Sequence, residues 1–125
     1  MLIERDGVSA RVIGCAIAVH RALGPGLLES AYETCLLAEF ESDGLSVRSQ
    51  VPVAIQYREV DIDCAYRADF IVNESVIVEI KSIARLEQIH QAQLLTYLRL
   101  LKLREGLLIN FNVPVLTRGL RRVLL

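Results

Sequence analysis

The sequence predicts an α/β or α+β protein in which helices flank a mixed β-sheet. Three observations support this prediction. Apolar residues recur at helical spacing in three segments, short apolar runs typical of strands lie between and after them, and two of those runs form a hairpin around a three-residue polar turn. The expected order is α, α, β, β, β, β, α, β, β, which packs as layers of helix and sheet.

Two helices are predicted at the start of the chain. Residues 9–23 carry apolar side chains at helical spacing, and Ser9 is a suitable N-cap. Gly24-Pro25-Gly26 should end this helix and begin a second one over residues 26–42. Glu29 falls in the first turn of the second helix, where an acid complements the helix dipole and also borders the buried face.

Strands are predicted next. Residues 46–57 form the first, and Pro52 suggests that this strand lies at a sheet edge. Arg58-Glu59 should turn the chain into a second strand over residues 60–66, with a bend expected near Cys64.

The central hairpin is predicted to join residues 66–72 to residues 76–81 through Asn73-Glu74-Ser75. A three-residue loop places Val72 opposite Val76, Phe70 opposite Val78, and Asp69 opposite Glu79. Because side chains alternate faces along a strand, one face of the hairpin should carry four charged residues, Arg67, Asp69, Glu79 and Lys81.

Two acids directly opposite each other on a sheet destabilise it, and a carboxylate in an apolar setting is costly unless it is paired, protonated or bound to a metal. A divalent cation between Asp69 and Glu79 would remove both penalties, and Lys81 could hold a phosphate or a water beside it. The alternative is a salt-bridged sheet face on which Arg67 and Lys81 neutralise the acids.

The last third of the chain predicts a helix over residues 86–103, a strand over residues 107–111 and a final strand over residues 115–125. His90, Gln93 and Tyr97 follow at spacings of three and four, so they should form a row on the helix. The amide of Gln93 either finds partners in a site or faces solvent.

Composition limits the function. The chain has 125 residues, 53% of them hydrophobic, but its apolar runs fall short of the ~18 residues that a membrane span requires. A net charge of −1 argues against binding nucleic acid by bulk charge. The charged start Ile3-Glu4-Arg5-Asp6 and the three widely spaced cysteines favour a cytoplasmic protein.

Several separated motifs occur together in the order of one known family. The chain resembles the GxxExxY proteins, a branch of the PD-(D/E)xK nuclease superfamily. The resemblance extends from Val19-His20 to Arg122, and its motifs are Gly26-x-x-Glu29-x-x-Tyr32, Asp69 followed by Glu79-x-Lys81, Gln93-x-x-x-Tyr97, Asn110-Phe111 and Gly119-x-x-Arg122.

The resemblance implies a restriction-endonuclease-like core and a role for each matching position. Asp69 and Glu79 would bind Mg²⁺ or Mn²⁺, with the Ile80 carbonyl as a third ligand. Lys81 would orient the attacking water and steady the phosphate. The remaining matches are Glu29 as an accessory acid on the metal or its water, Gln93 and Tyr97 as lining from the later helix, and Tyr32, His20 and Asn110 as accessory positions. Ala68 stands where the superfamily name has proline.

The resulting expectation is a single nuclease-like domain over residues 1–125 that hydrolyses phosphodiester bonds of DNA or RNA. A homodimer is one arrangement by which so short a nuclease core could grip a duplex. Two alternatives stay open: a non-catalytic binding or assembly module that uses the same fold, and a metal-dependent hydrolase of small phosphate esters.

Overall fold

The computed structural model describes residues 7–62 and 66–125. Its elements are, in chain order, α1 (Val8–Leu23), α2 (Glu29–Ser42), β1 (Val47–Pro52), β2 (Ile55–Tyr57), β3 (Val60–Ile62), β4 (Arg67–Val72), β5 (Val76–Lys81), α3 (Gln88–Leu101), β6 (Glu105–Asn110), a 3₁₀ turn (Leu116–Gly119) and β7 (Leu120–Leu124). None of the helices within these described ranges combines the length and the hydropathy of a membrane span.

The main sheet is mixed, as predicted. Its five strands lie in the order β1-β4-β5-β6-β7. The β5–β6 pair is parallel and the other three pairs are antiparallel. Helix α3 makes the crossover between the parallel strands, which cannot be joined by a tight turn. Strand β1 lies at an edge, which confirms the position that Pro52 indicated.

Both faces of the sheet are covered. Alternate residues of the central hairpin, among them Phe70 and Val78, pack into a core with α1 and α2, whereas Ile71 and Ile77 pack into a second core with α3. The face that carries Asp69 and Glu79 is therefore also apolar further along the hairpin. This double coverage explains the nearly continuous apolar sequence of β5 and β6, since both faces of these strands are buried.

Several predicted boundaries are wrong. The N-cap of α1 is Gly7, and Ser9 lies within the helix. Helix α2 begins at Glu29, because Gly24 and Gly26 adopt positive φ angles of 69° and 99° and hold residues 24–28 as a loop.

The strand predictions also need correction. The strand predicted over residues 46–57 is two strands, because the chain leaves the main sheet after Pro52 and β2 pairs with β3 around the predicted Arg58-Glu59 turn. The final segment begins with the 3₁₀ turn before β7. The bend expected near Cys64 lies outside the described residues.

Candidate active site at the open end of the central hairpin

The hairpin has the predicted register. Phe70 pairs with Val78 and Val72 with Val76. The pairing of β4 with β5 stops there, although β4 continues beside β1 to Arg67 and β5 continues beside β6 to Lys81. The sheet therefore opens between β4 and β5 at the level of the acids.

Two side-chain hydrogen bonds replace the strand ladder at this opening. The Asp69 amide donates to Glu79 Oε1 at 3.0 Å, and the Ile80 amide donates to Asp69 Oδ2 at 2.8 Å. Each carboxylate thus satisfies a backbone donor that the ladder leaves free. The two acids are held opposite each other, with one oxygen of each bound to backbone.

Burial leaves these acids poorly compensated. Glu79 is only 5% exposed. Burial, and next the charge of Asp69, raise the pKa of Glu79 to about 8. Burial also raises the pKa of Asp69, and the nearby charge of Glu33 adds to that shift. The Lys81 ammonium lowers the pKa of both acids, which places its charge beside them, but the net shift of each stays upward.

The donor set suits a hard cation. Carboxylate and carbonyl oxygens are the preferred ligands of Mg²⁺ and Mn²⁺. Among residues 7–62 and 66–125, no three His, Cys, Asp or Glu side chains converge as a metal cluster. A cation here would thus be held by Asp69 and Glu79 and would complete its coordination with waters, substrate oxygens or the Ile80 carbonyl. Mg²⁺ characteristically keeps several waters, so two carboxylates are sufficient.

Glu29 is the exposed first residue of α2. The preceding loop approaches the end of β5, because Ser82 Oγ donates to the Leu27 carbonyl at 2.6 Å. The Glu29 side chain makes no hydrogen bond within the described part of the chain. It does not form a three-carboxylate cluster with Asp69 and Glu79. Its accessory role remains a prediction.

Two residues of the site were missed. Gln50, on β1, donates from Nε2 to Glu33 Oε1 at 2.5 Å and, more weakly, to Asp69 Oδ1 at 3.4 Å. Glu33 lies one helical turn after Glu29, so the helical spacing could have suggested it. No pattern identifies Gln50, whose φ of 50° is unusual for a residue with a side chain.

Helix α3 contributes side chains that lie near Lys81 and the two acids. Tyr97 is 5% exposed, and burial, followed by the charge of Glu79, raises its pKa to about 12. Its ring meets that of Tyr66 edge-on, with 6.5 Å between centroids. His90, Gln93 and Tyr97 line one cavity together with Lys81, so the predicted row faces the site.

The other three accessory residues, Tyr32, His20 and Asn110, make hydrogen bonds to the backbone of loops. The Tyr32 hydroxyl donates to the Gly24 carbonyl at 2.6 Å and accepts from the Leu27 amide at 3.2 Å. Its ring stacks on Phe111 with 4.5 Å between centroids. Tyr32 thereby fixes the loop that leads into Glu29.

His20 and Asn110 bind the loops that follow β5 and β6. His20 Nε2 hydrogen-bonds the Val113 carbonyl at 2.7 Å. Asn110 is 1% exposed, accepts from the Ile83 amide at 3.1 Å and donates to the Ile83 carbonyl at 3.0 Å. These contacts give both residues a structural role in the fold.

Comparison with known proteins agrees with this architecture. The family model described as the PD-(D/E)XK nuclease superfamily matches residues 6–123. No curated protein and no solved structure matches the chain. The α+β fold, with a mixed five-stranded sheet between helices, is consistent with a restriction-endonuclease-like core. The chain therefore belongs to the PD-(D/E)XK nuclease superfamily.

Proposed function

We propose that this protein is a metal-dependent nuclease that hydrolyses phosphodiester bonds of DNA or RNA with Mg²⁺ or Mn²⁺. The observation that carries the proposal is the pair of buried acids, Asp69 and Glu79, at the opening between β4 and β5 with Lys81 beside them. A fold that buries two acids with raised pKa values has a strong electrostatic reason to bind a cation there. The superfamily match supports the same chemistry.

Each residue of the proposed site would have a separate role in phosphodiester hydrolysis. Asp69 and Glu79 would hold the cation, with the Ile80 carbonyl as a further ligand. When bound, the cation supplies an activated water and charge stabilisation of the phosphoryl oxygens. Lys81 would bind a non-bridging phosphate oxygen as a point charge and orient the attacking water. Glu29 would act as an accessory acid, and Gln93 and Tyr97 would line the substrate side.

We also assign Gln50 and Glu33 to the proposed site. The Gln50 amide lies between the carboxylates of Glu33 and Asp69, so it would keep Asp69 oriented toward the cation. Glu33 is close enough to influence the pKa of Asp69, which makes it a second helix acid besides Glu29.

The finer assignments belong to the same proposal. We place the chain in the GxxExxY branch on the basis of Gly26, Glu29 and Tyr32. Residues 1–125 would act as one nuclease domain in the cytoplasm with nucleic acid as the partner. A homodimer remains a prediction that sedimentation analysis would test.

The direct test is cleavage of labelled single- and double-stranded DNA and RNA with Mg²⁺, with Mn²⁺ and with EDTA. Wild type should cleave at least one substrate only when metal is present. Asp69→Asn and Glu79→Gln should abolish cleavage because each removes a ligand, whereas Lys81→Ala should slow it by on the order of 10²-fold while metal still binds.

Glu74→Gln is the matched control, because Glu74 is an exposed acid in the turn of the same hairpin and pairs with Arg48. It should cleave like wild type. Folded protein that binds metal but cleaves none of the four substrates would contradict the proposal and favour a non-catalytic module.

A further inference from the structure

An open cavity of about 480 Å³ adjoins the acids on the α3 side of the sheet. Lys81 and Tyr97 line this cavity together with Tyr66, Gln93 and His90. The volume falls in the range of sites that hold small organic groups. Binding a metal and a phosphate does not need this space.

The walls suit a flat aromatic group. Tyr66 is 45% exposed and Ile89 is 68% exposed, so both present apolar surface to solvent at this cavity. Ile55, on β2, lines the cavity as well. Bare phosphate would gain nothing from such walls. A nucleobase would, because every base has a face that stacks on aromatic side chains.

The polar groups at the cavity suit the edge of a base. The Glu87 amide donates to His90 Nδ1 at 2.9 Å. A neutral His90 therefore carries its proton on Nε2, and within the described parts of the chain this atom makes no hydrogen bond, so it can donate to a ligand. The Gln93 amide offers both a donor and an acceptor, and its side chain makes no hydrogen bond within residues 7–62 and 66–125.

We propose that this cavity receives an unpaired nucleobase of the nucleotide next to the scissile phosphate, so that single-stranded nucleic acid is the preferred substrate. The inference rests on the proposed nuclease function and names its substrate class. Lys81 belongs to both the cavity and the acid site, so a base in the cavity would be joined through its sugar to a phosphate beside Lys81.

Base pairing in a duplex and the net charge of the protein both favour a single-stranded substrate. A base within a duplex reaches such a cavity only after leaving its stack, which costs a few kcal/mol. The chain has a net charge of −1, so it lacks the excess of cations with which proteins hold duplex phosphates. Stacking in the cavity would supply affinity that bulk charge does not.

Binding in EDTA tests the proposal without relying on cleavage. Fluorescence anisotropy would compare a labelled 15-nucleotide single strand, its duplex, and a strand of equal length built from abasic residues. The single strand should bind at least about tenfold more tightly than the other two. Tyr66→Ala should weaken single-strand binding by about 5- to 150-fold, the loss expected for one stacked base, and leave abasic-strand binding unchanged.

Tyr57→Ala is the matched control, because Tyr57 is an exposed tyrosine, at 61%, that does not line the cavity. It should bind all three ligands like wild type. Ile89→Ala is a second cavity variant on the surface of α3, and it should also weaken single-strand binding selectively. Equal affinity for the abasic and normal strands, equal or tighter duplex binding, or no effect of Tyr66→Ala and Ile89→Ala would overturn the proposal.

The two proposals fail separately. Metal-dependent cleavage of duplex with no preference for unpaired bases would overturn the cavity assignment and leave the nuclease function standing. Base-dependent binding by a protein that never cleaves would support the cavity and contradict the nuclease.

Discussion

Glu79 is the most deeply buried acid of the candidate site. The residue is 5% exposed, and its carboxyl lies opposite Asp69 and accepts a hydrogen bond from the Asp69 amide. A fold selected for stability alone would place an apolar residue here, because an uncompensated buried acid is costly. The pKa of Glu79 is raised because its side chain is buried beside Asp69, which is the electrostatic setting that the proposed cation site requires.

This shift predicts how stability depends on pH in the absence of metal. The folded protein holds the Glu79 proton up to about pH 8, whereas the unfolded chain releases it near the ordinary value of 4.5. The stabilising contribution is thus complete below about pH 4.5 and is lost as the pH rises to 8. Urea unfolding in EDTA between pH 5 and 8 should show a free energy of unfolding that falls by up to ~1.4 kcal/mol per pH unit.

Glu79→Gln should flatten that slope, because a glutamine cannot titrate. Glu74→Gln should keep it, since Glu74 is an exposed acid paired with Arg48. A slope that is identical in wild type and Glu79→Gln would assign the pH dependence to other groups.

At the scale of elements, the loop between α1 and α2 is fixed by Tyr32. The hydroxyl bonds both the Gly24 carbonyl and the Leu27 amide, and the Leu27 carbonyl accepts from Ser82 next to Lys81. The motif Gly26-x-x-Glu29-x-x-Tyr32 therefore covers a loop that Tyr32 holds in place and the start of α2. The loop contacts the chain at the end of β5 through Ser82.

Tyr32→Phe should release this loop. Two hydrogen bonds are lost from a fully buried side chain, so unfolding should become easier by about 1–3 kcal/mol. Metal binding at Asp69 and Glu79 should change little, whereas cleavage should slow because Glu29 is less well placed. Isothermal titration with Mn²⁺ and single-turnover cleavage would separate the two effects. A loss of metal affinity as large as the loss of rate would contradict this role.

The 3₁₀ turn before β7 packs tightly against the end of β6. A Cβ on Gly119 would overlap the Asn110 carbonyl oxygen and press on Val113 Cγ2. Gly119→Ala should therefore lower the free energy of unfolding by about 1–3 kcal/mol, since neither backbone nor a packed side chain yields easily.

Gly14→Ala is the matched substitution, because Gly14 lies inside α1 with open space around its Cα. It should raise stability by about 1 kcal/mol through helix propensity. Denaturant melts of both variants would settle the comparison, and a neutral Gly119→Ala would mean that the turn can shift away from β6.

At the scale of the whole molecule, the sheet opens between β4 and β5 and holds two buried acids there, where the proposed cation would bind. Mg²⁺ or Mn²⁺ should raise the melting temperature of wild type, because a ligand at 100 times its Kd adds about 2.7 kcal/mol and ~1 kcal/mol shifts a chain of this size by roughly 4 °C. Asp69→Asn should melt higher than wild type in EDTA, because it replaces an acid whose charge is penalised by burial with a neutral amide, and it should not respond to metal.

Differential scanning fluorimetry of both proteins, in EDTA and in buffer with Mg²⁺ or Mn²⁺, would measure both effects. Glu74→Gln again serves as the control that should respond to metal like wild type. If metal stabilised Asp69→Asn as much as wild type, the cation would bind elsewhere.

The sequence by itself determined the hairpin and the charged residues that it carries. The polar turn at Asn73-Glu74-Ser75 and the apolar runs on either side of it fix the register, and Asp69 and Glu79 fall at matching distances from that turn. Helical spacing likewise determined that His90, Gln93 and Tyr97 share a face. These are local properties, and the printed residues contain all the information that they need.

Only the tertiary structure decided what converges on that hairpin from elsewhere. Gln50 reaches Asp69 because β1 pairs with β4 and because its own backbone is left-handed, and neither fact has a local signal. Contacts between distant segments also decide three other features. They are the departure of the chain from the main sheet after Pro52, the hydrogen bonds by which Tyr32 holds the loop before α2, and the cavity beside α3. Pairing and packing over long separations are set by the fit of the whole core, which no spacing along the chain records.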